Sequence, residues 1–347
     1  MAVRLIADTY RLADEVLYPA AAEVDRTGVI PPSHWSALAD AGLFGIAAPV
    51  EVGGPGLALT QIIELQEVLA SGCLPTAFTW LQHHGVVTGL ATTDNLALRD
   101  ALLADLTSGR RRAGVAYAGV VPTPPRMTAG RTADRWLVNG HAPFVSGWGS
   151  VDVLQISARD TDTDDVISAI IPARPPVEHI FAAPVDLAVC DATRTAFLRV
   201  DDLPVTDEQV VRRQTLADFF ANQNTGLRIN GALPFGIVRR ATALLDQAGH
   251  SHPARALRER AGEIRARLDG SLDDAEVLLD ARADGAALAV DAAATLIAAE
   301  GGRALLRGAP AQQLAREAAF TLVAASRPQL KDLLVRRFSG QHQFRHR

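Results

Sequence analysis

Apolar positions in the first third of the chain recur at steps of three and four, broken by glycine and proline. After Pro31-Pro32-Ser33, the residues Trp35, Leu38 and Ala41 keep helical spacing, and Gly42 stands where a left-handed glycine ends a helix. Phe44 to Val50 is apolar without alternation, and the glycine-rich stretch 53–56 predicts a loop. Ile62, Leu65 and Leu69 mark another helical face, and 96–106 a further one, entered by the cap candidates Thr93 and Asp94. From about residue 113 the period shortens. β-rich runs occupy 114–121, 136–138, 151–157, 166–171 and 196–200, with prolines between them, where a missing N–H costs no ladder bond. Asn139-Gly140 predicts a two-residue hairpin turn, because such turns need positive φ at both positions. Helical signals resume with the capping box Thr206-x-x-Gln209. Leu227, Asn230, Pro234, Ile237, Ala241 and Leu244 then define one face; Leu257, Ala261, Ile264 and Leu268 define the next. Residues 275–300 form an alanine-rich helix ending at Gly301-Gly302, 314–323 a fourth, and Ser326-Arg327-Pro328-Gln329 opens a fifth. The expected architecture is α+β, with a helical unit over 1–112, a β-barrel-like antiparallel unit over 113–206, a helical bundle over 207–340 and a tail over 341–347.

Composition narrows the function. At 347 residues and 48% apolar, the chain has enough hydrophobic surface for packed cores. Its 34 basic and 39 acidic residues leave a formal charge of −5, which disfavours nucleic acid bound through a broad basic surface. Cys73 and Cys190 have neither CxxC nor Cys/His ligand spacing, so a reducing, cytoplasmic setting without a metal site is expected. The charges Arg4, Asp8, Arg11, Asp14 and Glu15 interrupt any export signal. The most apolar window, 286–299, holds Asp291 and is shorter than the ~20 residues a membrane span needs, so it reads as a buried helix.

Three segments carry a resemblance. Residues 31–72 hold a helix, a glycine stop, a proline and a GG-x-G loop ahead of a further helix; 104–119 run from the last N-terminal helix into a first strand; 136–159 contain "WLVNGHAPFVSGWGSVDVLQISAR". Together with the helix–β–helix order, they resemble the acyl-CoA dehydrogenase family over nearly the whole chain. The resemblance implies FAD as cofactor, an acyl thioester of coenzyme A or a carrier protein as substrate, and oxidation of the α,β carbon–carbon bond in lipid metabolism. An electron-transfer acceptor and a homo- or hetero-oligomer formed through the C-terminal helices are implied as well. Phe144 stands where the family usually packs tryptophan on the flavin, and Ser146 at the threonine that bonds the ring edge. Val115, Tyr117 and Ala118 match the flavin-facing strand.

The catalytic residue stays unknown at this stage. The two places where the family carries its glutamate base fall on Ala325, counted from Arg316-Glu317-Ala318, and near Gly226. Neither side chain accepts a proton. Glu300, Glu317, His83 and His84 are the remaining candidates, with adjacent histidines on a helix pointing ~100° apart, so at most one faces a pocket. An incomplete subunit that needs an unlike partner is the alternative reading.

Overall fold

Helix α1 (Ala2–Leu12) passes through one wider turn at Ala13–Leu17 into α2 (Tyr18–Thr27), which stops where Gly28 takes φ +65°. The computed structural model describes residues 2–221, 223–325 and 327–340. Helix α3 (Pro32–Asp40) ends at Ala41, with Gly42 at φ +71° beyond it. Helices α4 (Leu59–Gly72) and α5 (Leu74–Ala91) follow the glycine loop, and α6 (Leu96–Thr107) is capped by Asn95, whose side chain accepts the Leu98 N–H at 3.1 Å. The cap thus falls one residue beyond the Thr93-Asp94 pair; Thr93 instead accepts the Asn95 N–H.

The central sheet has eight strands: β1 (Ala113–Ala116), β2 (Met127–Arg131), β3 (Trp136–Val145), β4 (Val153–Asp160), β5 (Val166–Pro172), β6 (Ile180–Pro184), β7 (Ala196–Val205) and β8 (Val210–Gln214). Their path is β6-β7-β3-β2-β4-β5-β8, with β1 also on β4; it is antiparallel except at β1–β4 and β2–β4, and it stays open rather than closing into a barrel. Asn139-Gly140 does not make a hairpin turn. Both residues lie inside β3, opposite Thr128 and Met127, and the β2–β3 turn is closed at Thr132 and Arg135. Gly140 is required for closeness instead: at φ +125°, an added Cβ would sit 1.9 Å from the Arg126 carbonyl oxygen. The Thr206–Gln209 box forms, yet it caps a single 3₁₀ turn that leads into β8. The sheet therefore takes in residues to Gln214, which the sequence reading gave to the bundle.

The C-terminal helices are α7 (Leu216–Ala221), α8 (Gln223–Asn230), α9 (Leu233–Gln247), α10 (Ser251–Gly270), α11 (Ala275–Glu300), α12 (Pro310–Val323) and α13 (Pro328–Phe338). The face read as continuous from Leu227 to Leu244 is broken at Gly231 and restarts at α9 with Pro234 in its first turn. Helix α11 is apolar and long enough in composition to cross a bilayer, but Leu278, Leu288, Ala292 and Leu296 are buried in the bundle it centres. Ser326 of the last capping signal and the tail lie outside the described residues.

One core joins α4 and α5 to the bundle through Leu65, Leu69, Trp80, Phe235, Leu288 and Leu296, so the first and third units share a single packed interior. Each such side chain contributes about 1.5–3 kcal/mol on burial. A second core fills the β unit around Trp136, Leu154, Ile156 and Leu198, and a third seats α5 and α6 on β1 and β4.

Candidate active site

The first part of the site is a corner where β1 and the end of β3 meet. Between Ala142↔Leu198 and Val145↔Ala196, β3 carries one residue more than β7, a β-bulge. Bulges re-aim side chains. Here Phe144 takes φ +52° and turns its ring outward, 62% exposed, with the Phe197 ring roughly perpendicular to it at a 4.8 Å centroid distance. Beyond it, Ser146 is buried and its hydroxyl bonds Thr195 Oγ1 at 3.0 Å, which bonds Thr193 Oγ1 at 2.9 Å. Three hydroxyls in series are the result, and each can donate or accept. The next residue, Gly147, donates its N–H to the Thr193 carbonyl at 2.7 Å, fixing β3 to that turn. A Cβ at Gly114 would touch the Ser146 carbonyl at 3.4 Å, and one at Gly147 would touch the Thr79 methyl at 3.5 Å, so β1 and α5 both press on this end of β3. Val115 and Tyr117 are half-buried along β1 and just past it, and Ala118 is exposed. Thr193 and Thr195 carry no strand or cap pattern; their alternate spacing before Ala196 was the one available signal.

A shallow cavity of about 490 Å³ opens next to Pro143 and Phe197, lined also by Arg126, His141, Phe181 and Arg199. Arg199 lies 4.3 Å over the Phe181 ring. Cation and ring face attract because the ring face is electron-rich.

The second part lies between Tyr117 and the bundle. Arg282, on α11, is 3% exposed and donates to the Leu227 carbonyl and the Ala324 carbonyl, each at 2.9 Å. Burial lowers its guanidinium to about 10, Tyr117 opposing and Arg327 adding to the effect, so it remains a cation at neutral pH. Arg327 donates to the Gln223 carbonyl at 3.2 Å, joining the corner after α12 to the start of α8. Burial pushes the Tyr117 phenol up, against the pull of Arg327 and Arg282. The residues beside these contacts are Gly226, where an added Cβ would meet open space, and Ala325, held at φ +48°. The two expected base positions thus adjoin the contacts of two guanidinium groups rather than a carboxylate.

The other base candidates are elsewhere. His83 Nδ1 accepts the Ala113 N–H at 3.0 Å, so its lone pair is used in tying α5 to β1, and burial lowers its pKa to about 4. A small space of about 10 Å³ beside it, bordered by Thr79, Trp80 and Ser150, is roughly one water in size. His84 packs its ring edge-on to Trp80 at 4.3 Å; burial holds it well below the ordinary imidazole value. Glu300 acts on Tyr18 and lies at the end of α11, 18 residues from Arg282 and so about 27 Å along the axis. Glu317 is buried against Gln313 at 2.9 Å, and burial raises it to about 7. Among the described residues, no cluster of His, Cys, Asp and Glu is built to hold a metal ion.

The chain therefore combines a helical unit, an open mixed sheet and a helical bundle, with an exposed ring and a hydroxyl chain at the sheet corner. Residues 3–110 match the model of the acyl-CoA dehydrogenase N-terminal domain. Isovaleryl-CoA dehydrogenase of Pongo abelii mitochondria is 24% identical over 156 residues, 43% of this chain and 37% of its own. The structure of butyryl-CoA dehydrogenase from Megasphaera elsdenii superposes with a TM-score of 0.80 at 16% identity, covering 96% of each chain. That of PigA with FAD and proline gives 0.80 at 17% identity over 97% of each. The chain thus has the fold of these structures, and its first third is similar to the N-terminal domain of acyl-CoA dehydrogenases. It spans about two fifths of the length of the curated relatives it matches.

Proposed function

We propose that the chain is a flavin-dependent oxidoreductase acting on an acyl thioester, with FAD held across the corner of β1 and β3. The observation that carries this reading is Phe144, turned out of the sheet by the bulge and left exposed beside the buried Ser146. An aromatic face of that kind suits a planar ring system, and the hydroxyl chain ending at Ser146 suits its polar edge. The half-buried Val115 and Tyr117 and the exposed Ala118 would border the same ring. These residues fit the cofactor. When bound, FAD supplies the acceptor for the electron pair that leaves the acyl group.

The chain's own residues then pack, orient and exclude water. Phe144 would pack on the ring and Ser146 would donate to its edge, with α5 packed behind Gly147 through Thr79. Removal of the α proton needs a positioned base, and no carboxylate stands at Gly226 or Ala325. A second copy of this chain would repeat that lack, which supports a base supplied by an unlike partner chain or from elsewhere in this one. Leu305, Leu306, Val323, Val335 and Phe338, exposed on the C-terminal elements, offer an apolar seat for such a chain. A separate electron acceptor completes the reaction. The two cysteines, buried and unpaired, suit the reducing cytoplasm.

Reconstitution with FAD, followed by quenching of flavin fluorescence, tests the reading. Wild type is expected to retain FAD through gel filtration, Phe144→Trp to retain it, and Phe144→Asp to lose most of it. Equal retention by wild type and Phe144→Asp would move the cofactor off this corner.

A further inference from the structure

Four arginines are nearly fully buried in the described residues: Arg159, Arg228, Arg240 and Arg282. Three of them have an acid. Arg228 meets Asp269 at 2.7 Å, Arg240 meets Asp14 at 2.6 Å, and Arg159 faces Asp164 at 3.4 Å. Arg282 is the exception, since its bonds run to the Leu227 and Ala324 carbonyls and no ion pair includes it among the described residues. A buried cation without a counter-charge is costly, and neutral carbonyls offset only part of that cost. Its position adds to the case. A guanidinium has five N–H donors, of which those two bonds occupy two. Arg327 brings a second cation to the same gap between α8 and the corner after α12, where Gly226 borders open space, and the Tyr117 phenol acts electrostatically on both guanidiniums.

We propose that this gap receives an acyl thioester whose acyl group itself carries a carboxylate or similar anion, seated on Arg282 with Tyr117 and Arg327 beside it. The proposal rests on the acyl-thioester reading above and adds the charge of the substrate to it. A planar two-oxygen anion matches the guanidinium fork in a way a methyl group does not. Because Leu227 and Ala324 adjoin Gly226 and Ala325, the anion would lie near the reacting carbons, which selects a short acyl group.

Succinyl-CoA and butyryl-CoA test this, since both acyl groups have four carbons and differ in a terminal carboxylate. Binding to the purified protein is measured by isothermal titration, for wild type and Arg282→Met. Wild type is expected to bind succinyl-CoA at least tenfold more tightly than butyryl-CoA; in Arg282→Met that ratio should fall to within twofold. A wild-type ratio near one, or a ratio that survives in Arg282→Met, overturns the proposal and leaves the thioester reading standing. Failure of both thioesters to bind wild type removes the thioester reading and this proposal with it. A shifted flavin potential in Arg282→Met with the succinyl preference intact would assign the guanidinium to the cofactor and also overturn it. Should Arg282→Met fail to fold, the wild-type ratio and a severalfold smaller ratio in Tyr117→Phe decide instead.

Discussion

His83 and His84 are adjacent on α5 and both buried, yet only His83 has a bond, the Ala113 N–H on its Nδ1. A protonated imidazole cannot accept that bond, and burial already holds His83 near 4, below its ordinary 6.5. The unfolded chain therefore binds the proton more readily. The stabilising term is present in full above about pH 6.5 and is lost as pH falls toward 4. His83→Gln keeps an acceptor for Ala113 and cannot titrate. Between pH 7.5 and 5, wild type should lose about 2 kcal/mol more stability than the variant, by urea unfolding. The opposing slope from Glu317, raised to about 7, is common to both proteins and cancels. At Ser146, removal of the hydroxyl leaves Thr195 still bonded to Thr193, so Ser146→Ala should fold and weaken FAD retention by about 0.5–1.5 kcal/mol in equilibrium dialysis. Unchanged retention would separate Ser146 from the cofactor. The resemblance named Phe144 and Ser146 in the sequence, but Arg282 was not visible there. It sits in an alanine-rich helix with Asp280 and Asp284 nearby, which reads as a solvated face until the fold buries it between α8 and α12.

At the scale of elements, period and caps located most helices, whereas strands with few apolar residues were lost. β2 reads Met-Thr-Ala-Gly-Arg, and β8 holds Arg212 and Arg213 whose rings of contact lie outside the core, so neither shows a hydrophobic run. The Asn139-Gly140 signal was misleading because local turn chemistry and a close interstrand approach select the same glycine; only the pairing partner tells them apart. The bulge that exposes Phe144 has no local signature either, since register belongs to the pair β3–β7. Helix packing supplies a sharper test. Gly236 lets α9 press on α4, and an added Cβ would lie 2.5 Å from Ala70 Cβ and 2.9 Å from the Glu67 carbonyl. Gly236→Ala gains up to about 1 kcal/mol of helix propensity but should still destabilise by roughly 1–3 kcal/mol through overpacking. A urea midpoint at or above wild type would show that the two helices yield.

On the scale of the molecule, the helix–sheet–helix order was legible because the hydrophobic period changes near both ends of the sheet. What joins the parts was not. α4 and α5 share one core with α9 and α11 across some 150 residues of intervening chain, a contact that no local pattern encodes. The same bundle leaves Leu305, Leu306 and Phe338 at its surface, and Leu306→Ser with Phe338→Ser is expected to shift the sedimentation of the proposed oligomer toward the single chain. A profile identical to wild type would place the contact elsewhere. The central claim is that the corner of β1 and β3 holds a flavin. Its most direct test is chromatography of the small molecules released when the purified protein, incubated with FAD and freed of excess, is denatured. The expected result is FAD at about one per chain; protein that releases none would contradict the account.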